Sequence, residues 1–178
     1  MLELFVYKSV KKWEKVYIFA AEKPTIRNMS YLVGHHNCKL DAKGRILVPS
    51  DFKEQLGDEA EEGFILRPGL HAHCLELYTK KDWYDVQDQL RAKFSQFVEK
   101  QEAVLRKYNS GANFVKLDGS GRLQIPKDMI DKASLVKDVV ITAVTTKMEI
   151  WDKSLYEQSI NNDLDDEEFF KLLSENIK

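Results

Sequence analysis

Apolar residues recur through residues 80–108 at Trp83, Val86, Leu90, Phe94, Phe97, Val104 and Tyr108, stepping mostly by three or four. That spacing predicts one amphipathic helix with a single buried stripe. On either side the pattern changes to short apolar runs closed by glycine and proline, which predict strands and turns. Residues 64–83, FILRPGLHAHCLELYTKKDW, predict a strand, a Pro-Gly turn, a second strand and the start of a helix. Residues 139–156, VVITAVTTKMEIWDKSLY, predict the same layout. In DLDDEEFFKLLSEN (163–176) acids precede Phe169, Phe170, Leu172 and Leu173. Acids favour a helix N-terminus, so a terminal helix is expected.

The two flanks are copies of each other. KLDAKGRILVP (39–49) and KLDGSGRLQIP (116–126) share Lys, Leu, Asp, Gly, Arg and Pro in register, from Lys39 and Lys116 to Pro49 and Pro126. Self-similarity at a fixed spacing marks a repeated structural unit. Asp41 and Asp118 stand first, and Gly44 and Gly121 fourth, in a four-residue stretch with the preferred corners of a type I turn. ILV (46–48) and LQI (123–125) predict strands that end at Pro49 and Pro126, because proline cannot donate to a central ladder. A short helix is expected after each proline, with Ser50 as the N-cap of the first and Gly57 as its stop. The unit is therefore strand–turn–strand–short helix–strand–turn–strand, used twice. We place the first at 36–82, the linking helix at 83–110, the second unit at 111–154 and an acidic helical segment at 155–178.

Composition narrows the function without choosing it. Apolar residues make up 43% of the chain, enough for a core, and no run approaches the roughly 20 residues of a membrane span. Cys38 and Cys74 form no CxxC pair, which fits a reducing compartment. The net charge of −2 conceals a gradient. Residues 1–28 are basic and 157–178 strongly acidic, which leaves 29–156 neutral. An anionic polymer would have to be met by a local patch rather than by overall charge. VYIFAA, after KKWEK, is too short for a signal peptide and no good cleavage site follows. We expect the functional chain to begin at Met29, with 1–28 an upstream extension that is weakly ordered.

The doubled LDxxGRxxxP, the CLELY strand and the opening MSYLVGHHNCKLDAKGRILVP together resemble the MraZ family. The resemblance covers residues 29–156. It implies two tandem AbrB/SpoVT-type swapped-hairpin units folded into one intertwined, β-rich, barrel-like α+β body with a pseudo-twofold axis. It also implies a bacterial, cytoplasmic and nucleoid-associated transcriptional regulator, in the main a repressor. Such a regulator assembles as a ring-shaped homo-oligomer on short direct repeats in double-stranded promoter DNA of the division and cell-wall gene cluster.

Arg45 and Arg122 follow the turn glycine in each copy. From the residues alone, each arginine could pair with its own turn aspartate, the ordinary use of an exposed charge. It could equally grip phosphate or read guanine bidentately. The resemblance implies DNA contact at Arg45. Because GSGR lacks a partner for Lys43, the first turn is expected to dominate and Arg122 to contribute less. Lys43, Lys39 and Lys116 are candidate phosphate contacts. Asp41, Gly44, Asp118 and Gly121 are expected to shape the turns.

HHNC (35–38) and HAHC (71–74) carry zinc-ligating residue types, but their spacing does not follow the usual ligand pairs and the second copy has no counterpart. No metal or other cofactor is expected. Trp83, Trp151 and Tyr78 are read as core aromatics. The sequence shows no nucleophile elbow, P-loop, HExxH or dinucleotide fingerprint, so no enzyme, small-molecule substrate or membrane partner is expected. The rival readings are an AbrB-type antitoxin or transition-state regulator, and a structural ring whose arginines bridge subunits.

Overall fold

The computed structural model describes residues 31–162 and 165–177. The extension expected at 1–28 and the expected start at Met29 lie outside the described residues. The first copy supplies β1 (His35–Lys39), β2 (Arg45–Leu47), α1 (Ser50–Leu56), α2 (Glu59–Glu62), β3 (Phe64–Pro68) and β4 (Cys74–Thr79). Helices α3 (Lys80–Lys93) and α4 (Glu99–Asn109) lead to the second copy. That copy supplies β5 (Asn113–Val115), β6 (Arg122–Gln124), α5 (Lys127–Lys132), β7 (Asp138–Val144) and β8 (Lys147–Asp152). Two further helices follow, α6 (Lys153–Asn162) and α7 (Asp166–Asn176).

The copies are interleaved rather than stacked. Six strands form an antiparallel sheet in the order β1-β7-β8-β4-β3-β5, and β2 pairs with β6 in a separate ribbon. The first strand of each copy therefore pairs with the other copy: β1 lies on β7, with His36 opposite Ile141, and β5 lies on β3, with Ile65 opposite Phe114. The order reads the same from both ends in terms of repeat positions, which sets a pseudo-twofold axis between β8 and β4. The chain is α+β, and the expected intertwining of the two units is what the strand order displays.

Period-two alternation divides the sheet into two buried faces. Phe64, Leu66, Leu75, Leu77, Val139, Ile141, Met148 and Ile150 face the main core, where Ile46 and Leu123 of the ribbon and Phe52 and Met129 of α1 and α5 meet them. Intervening positions carry Arg67, Glu76, Tyr78, Lys147, Glu149 and Trp151. Trp83 of α3 and Tyr108 of α4 pack toward this second face: Trp83 lies edge-on to Tyr78, and Tyr108 stacks on Trp83. Trp83, Trp151 and Tyr78 are buried, as expected of core aromatics.

Two local expectations are corrected. The single helix expected through 80–108 is two helices, broken after Lys93. Phe94 has extended backbone, the Ser95 hydroxyl accepts from the Phe97 N–H at 3.2 Å, and the Gln101 side chain accepts from the Ser95 N–H at 2.7 Å. The apolar stripe lapses at the same place, with Lys100 and Gln101 where Phe97 and Val104 would need a step between them. Ser50 is not an N-cap either; Pro49 takes that position and Ser50 is the first helical residue. Gly57 does close α1, at φ 53°. The terminal helix forms from Asp166, capped by the Asp165 carboxylate accepting from the Glu168 N–H, and buries none of its residues.

Candidate nucleic-acid interface

The two repeated motifs fold into the same turn. Asp41 Oδ1 accepts from the backbone N–H of Lys43 at 2.8 Å and of Arg45 at 3.0 Å. Asp118 Oδ1 accepts from Ser120 at 2.8 Å and from Arg122 at 3.0 Å. The Gly44 N–H closes onto the Asp41 carbonyl and the Gly121 N–H onto that of Asp118. Both glycines sit at φ 75°, where a side chain would be strained. The aspartates thus shape the turns, and the glycines release the chain into β2 and β6.

The ribbon brings the two turns into one site. Arg45 lies opposite Gln124, Ile46 opposite Leu123 and Leu47 opposite Arg122. Ile46 and Leu123 are fully buried, so alternation places Arg45, Leu47, Arg122 and Gln124 on the outer face. Arg45 and Arg122 are diagonal neighbours there, a relation that puts Cα atoms about 7–8 Å apart. Each turn is held by the other copy: the Val48 N–H donates to the Gly121 carbonyl at 3.1 Å, and the Ile125 N–H to the Gly44 carbonyl at 2.9 Å. The Gln124 side-chain amide adds bonds to the carbonyls of Lys43 and Gly44.

The two arginines are presented differently. Arg45 turns back on its own aspartate, with Nε 2.8 Å and Nη2 2.7 Å from Asp41 Oδ2. That side-chain bond, with the backbone amides of Arg45 and Lys43, holds the Asp41 carboxyl down to about 2. Asp118 is also lowered, by the backbone amides of Arg122 and Ser120. Arg122 is exposed and makes no side-chain hydrogen bond or ion pair among the described residues. Lys43, Lys39 and Lys116 are exposed around the ribbon, Lys116 with its ammonium 5.9 Å from the centre of the Phe114 ring.

Two residues of this site were not singled out from the sequence. Gln124 matches Leu47 of the first copy, and Lys53 of α1 matches Ile130 of α5, so the signal lay in the positions where the copies differ. The histidine–cysteine clusters lie on β1 and just before and at the start of β4. Among the described residues no group of three or more His, Cys, Asp or Glu converges as a metal site. Burial, with Glu149 and Glu76 nearby, pushes the Cys74 thiol up to about 12, so it stays protonated at neutral pH. No helix among the described residues is long and apolar enough to cross a membrane.

The family model described as MraZ protein matches residues 31–107 and 109–178. A protein of Flavobacterium psychrophilum named transcriptional regulator MraZ is 40% identical over 138 residues, covering 78% of this chain and 87% of its own length. Its namesake in Christiangramia forsetii is 36% identical over 138 residues, covering 78% and 88%. That of Clostridium tetani is 34% identical over 143 residues, covering 80% and 96%.

Proposed function

The chain belongs to the MraZ family, and on that premise we propose that it is a transcriptional regulator, not an enzyme, that binds double-stranded DNA through the outer face of the β2–β6 ribbon. The observation that carries this reading is the convergence of Arg45 and Arg122, one from each copy, on one exposed face of a two-stranded ribbon. A two-stranded ribbon fits the major groove, and paired guanidinium groups suit both phosphate and guanine. Lys43, Lys39 and Lys116 add cations near it. Asp41 and Asp118 have their carboxylates engaged by backbone amides, which limits their repulsion of phosphate.

We further propose that it acts as a ring-shaped homo-oligomer in the cytoplasm, at the nucleoid, repressing the division and cell-wall gene cluster from direct repeats in its promoter. Neutral charge over 29–156 makes a single subunit a weak DNA binder. Tethered copies meeting successive repeats raise affinity through effective concentration, without new contacts.

The Arg45–Asp41 pair also suits a structural ring whose arginines serve assembly. Arg45→Ala separates the two readings in a gel-shift titration against DNA upstream of the protein's own gene, run beside a mass measurement. The regulator reading expects the oligomer intact and DNA affinity down tenfold or more, on the scale of about 1–3 kcal/mol for a specific contact. Loss of the oligomer with no change in intrinsic DNA binding overturns it.

A further inference from the structure

The repeat places a different side chain over each turn glycine. A Cβ on Gly44 would meet Ile130 Cδ1 at 3.0 Å, whereas a Cβ on Gly121 would meet Lys53 Nζ at 2.8 Å. Ile130 and Lys53 are equivalent positions of the two copies, so the interleaving carries the first copy's lysine onto the second copy's turn. The expectation that the second turn is the less cationic, because Ser120 stands where the first has Lys43, counts only residues within the turn. The first turn has Lys43 from its own sequence, with Lys127 of the other copy lining the groove beside it, and the second turn has Lys53 from the other copy.

The Lys53 ammonium makes no hydrogen bond or ion pair among the described residues. It lines a groove of about 640 Å3 with Lys39, Leu47, Pro49 and His36. Leu47, which lines the groove, lies directly opposite Arg122 on the ribbon. The one carboxylate in the groove, Asp51, lies 3.6 Å from the His36 ring. Two cations, Lys53 and Lys39, thus line one opening, and Arg122, next to the Gly121 that the Lys53 ammonium covers, comes from the other copy. Arg122 and Lys53 have their side-chain donors unused among the described residues.

We infer that Lys53 grips a DNA phosphate beside Arg122, completing in trans a second phosphate-binding turn. This rests on the DNA reading of the ribbon. An ammonium is a compact point charge that suits a phosphodiester without reading the base. Lys53 therefore contributes affinity in equal measure on any sequence. Gly121 is required for its φ of 75°, and the ammonium above it ends a flexible side chain that is free to swing onto a phosphate.

The test is fluorescence anisotropy of the full chain and its Lys53→Gln and Lys53→Arg variants, on an upstream duplex and a scrambled duplex, at several salt concentrations. Lys53→Gln is expected to weaken both duplexes by the same factor. It should also lower the slope of log affinity against log salt by about 0.9 for each subunit engaged. Lys53→Arg is expected to keep the wild-type slope, and both variants the wild-type mass and melting temperature. A Lys53→Gln protein with unchanged affinity and slope overturns the inference, as does an affinity loss that tracks a changed oligomer mass. Wild-type protein that binds neither duplex at low salt removes the DNA reading itself, a result distinct from either.

Discussion

Glu76 and Glu149 face each other directly across β4 and β8, at the pseudo-twofold axis, and the Lys147 ammonium reaches both carboxylates. Each glutamate also accepts from an aromatic partner, Glu76 from the Tyr78 hydroxyl at 3.2 Å and Glu149 from the Trp151 indole at 3.0 Å. Arg67 lies 3.7 Å from Glu76 and packs its guanidinium 4.1 Å over the Tyr108 ring. Like charges directly opposite on neighbouring strands are destabilising. The interleaved repeat forces this pair together, and the lysine makes it tolerable.

Replacing the part-buried Lys147 by Met should therefore destabilise the protein in urea unfolding, by less than the roughly 3–5 kcal/mol of a fully buried ion pair broken from one side, because Arg67 remains near Glu76. Adding Glu149→Gln to that variant should recover part of the loss. Burial opposes the charge on Lys147, but hydrogen bonds from its ammonium to Glu76 and Glu149, and their charge, outweigh it and raise its pKa above the ordinary 10.5. A raised folded value means that this stabilisation is whole below 10.5 and is lost as pH climbs through the higher value. Unfolding titrations should show wild type weakening more steeply in that alkaline window than Lys147→Met, whose remaining slope comes from the buried Cys74 thiol and Tyr78 hydroxyl, both raised as well.

Asp41 sets a second window, at the acid end. Its lowered folded value means that its contribution is present above the ordinary carboxylate range and disappears as pH falls toward about 2. Backbone amide shifts of Lys43 and Arg45, which donate to this carboxylate, should titrate together near 2. Removing the guanidinium with Arg45→Ala should move that midpoint upward by more than it moves the Ser120 and Arg122 amides, whose Asp118 feels the Arg45 charge only at a distance. A common midpoint in wild type and variant would mean that the ion pair is not what holds Asp41 down.

Ile46 and Leu123 pin the ribbon from below; both are fully buried and directly paired. Either truncation to Ala should cost about 2–5 kcal/mol, the range for large-to-small core changes. Because the two touch a shared space, the double variant should depart from the sum of the singles by more than 0.5 kcal/mol. Urea unfolding of the four proteins of the cycle measures this.

Most of the local architecture was readable because the repeat states it twice. Asp-x-x-Gly-Arg predicts the turn, the apolar triplets predict β2 and β6, and the prolines mark their ends. The corrections fall where a local rule had a competitor. Periodicity at Phe94, Phe97 and Val104 tolerated one missing step, and Ser95 and Gln101 use that gap to stop the helix. Ser50 is a good cap by type, but Pro49 already occupies the cap position. The site was legible in part. Arg45 and Arg122 could be named, whereas their shared face depends on the pairing of β2 with β6, a contact between positions seventy-seven residues apart. The ammonium over Gly121 was invisible for the same reason.

A dimer of one unit would have to place identical residues on both halves of its ribbon, and its DNA would read alike in both directions, since operator palindromes mirror a protein's twofold axis. Joining the copies in one chain lifts that requirement. Leu47 faces Arg122 while Gln124 faces Arg45, and a lysine covers one turn where an isoleucine covers the other. On the DNA reading such a ribbon has a head and a tail. It can be laid along a duplex in one preferred polarity, which suits sites repeated in the same direction and penalises inverted ones.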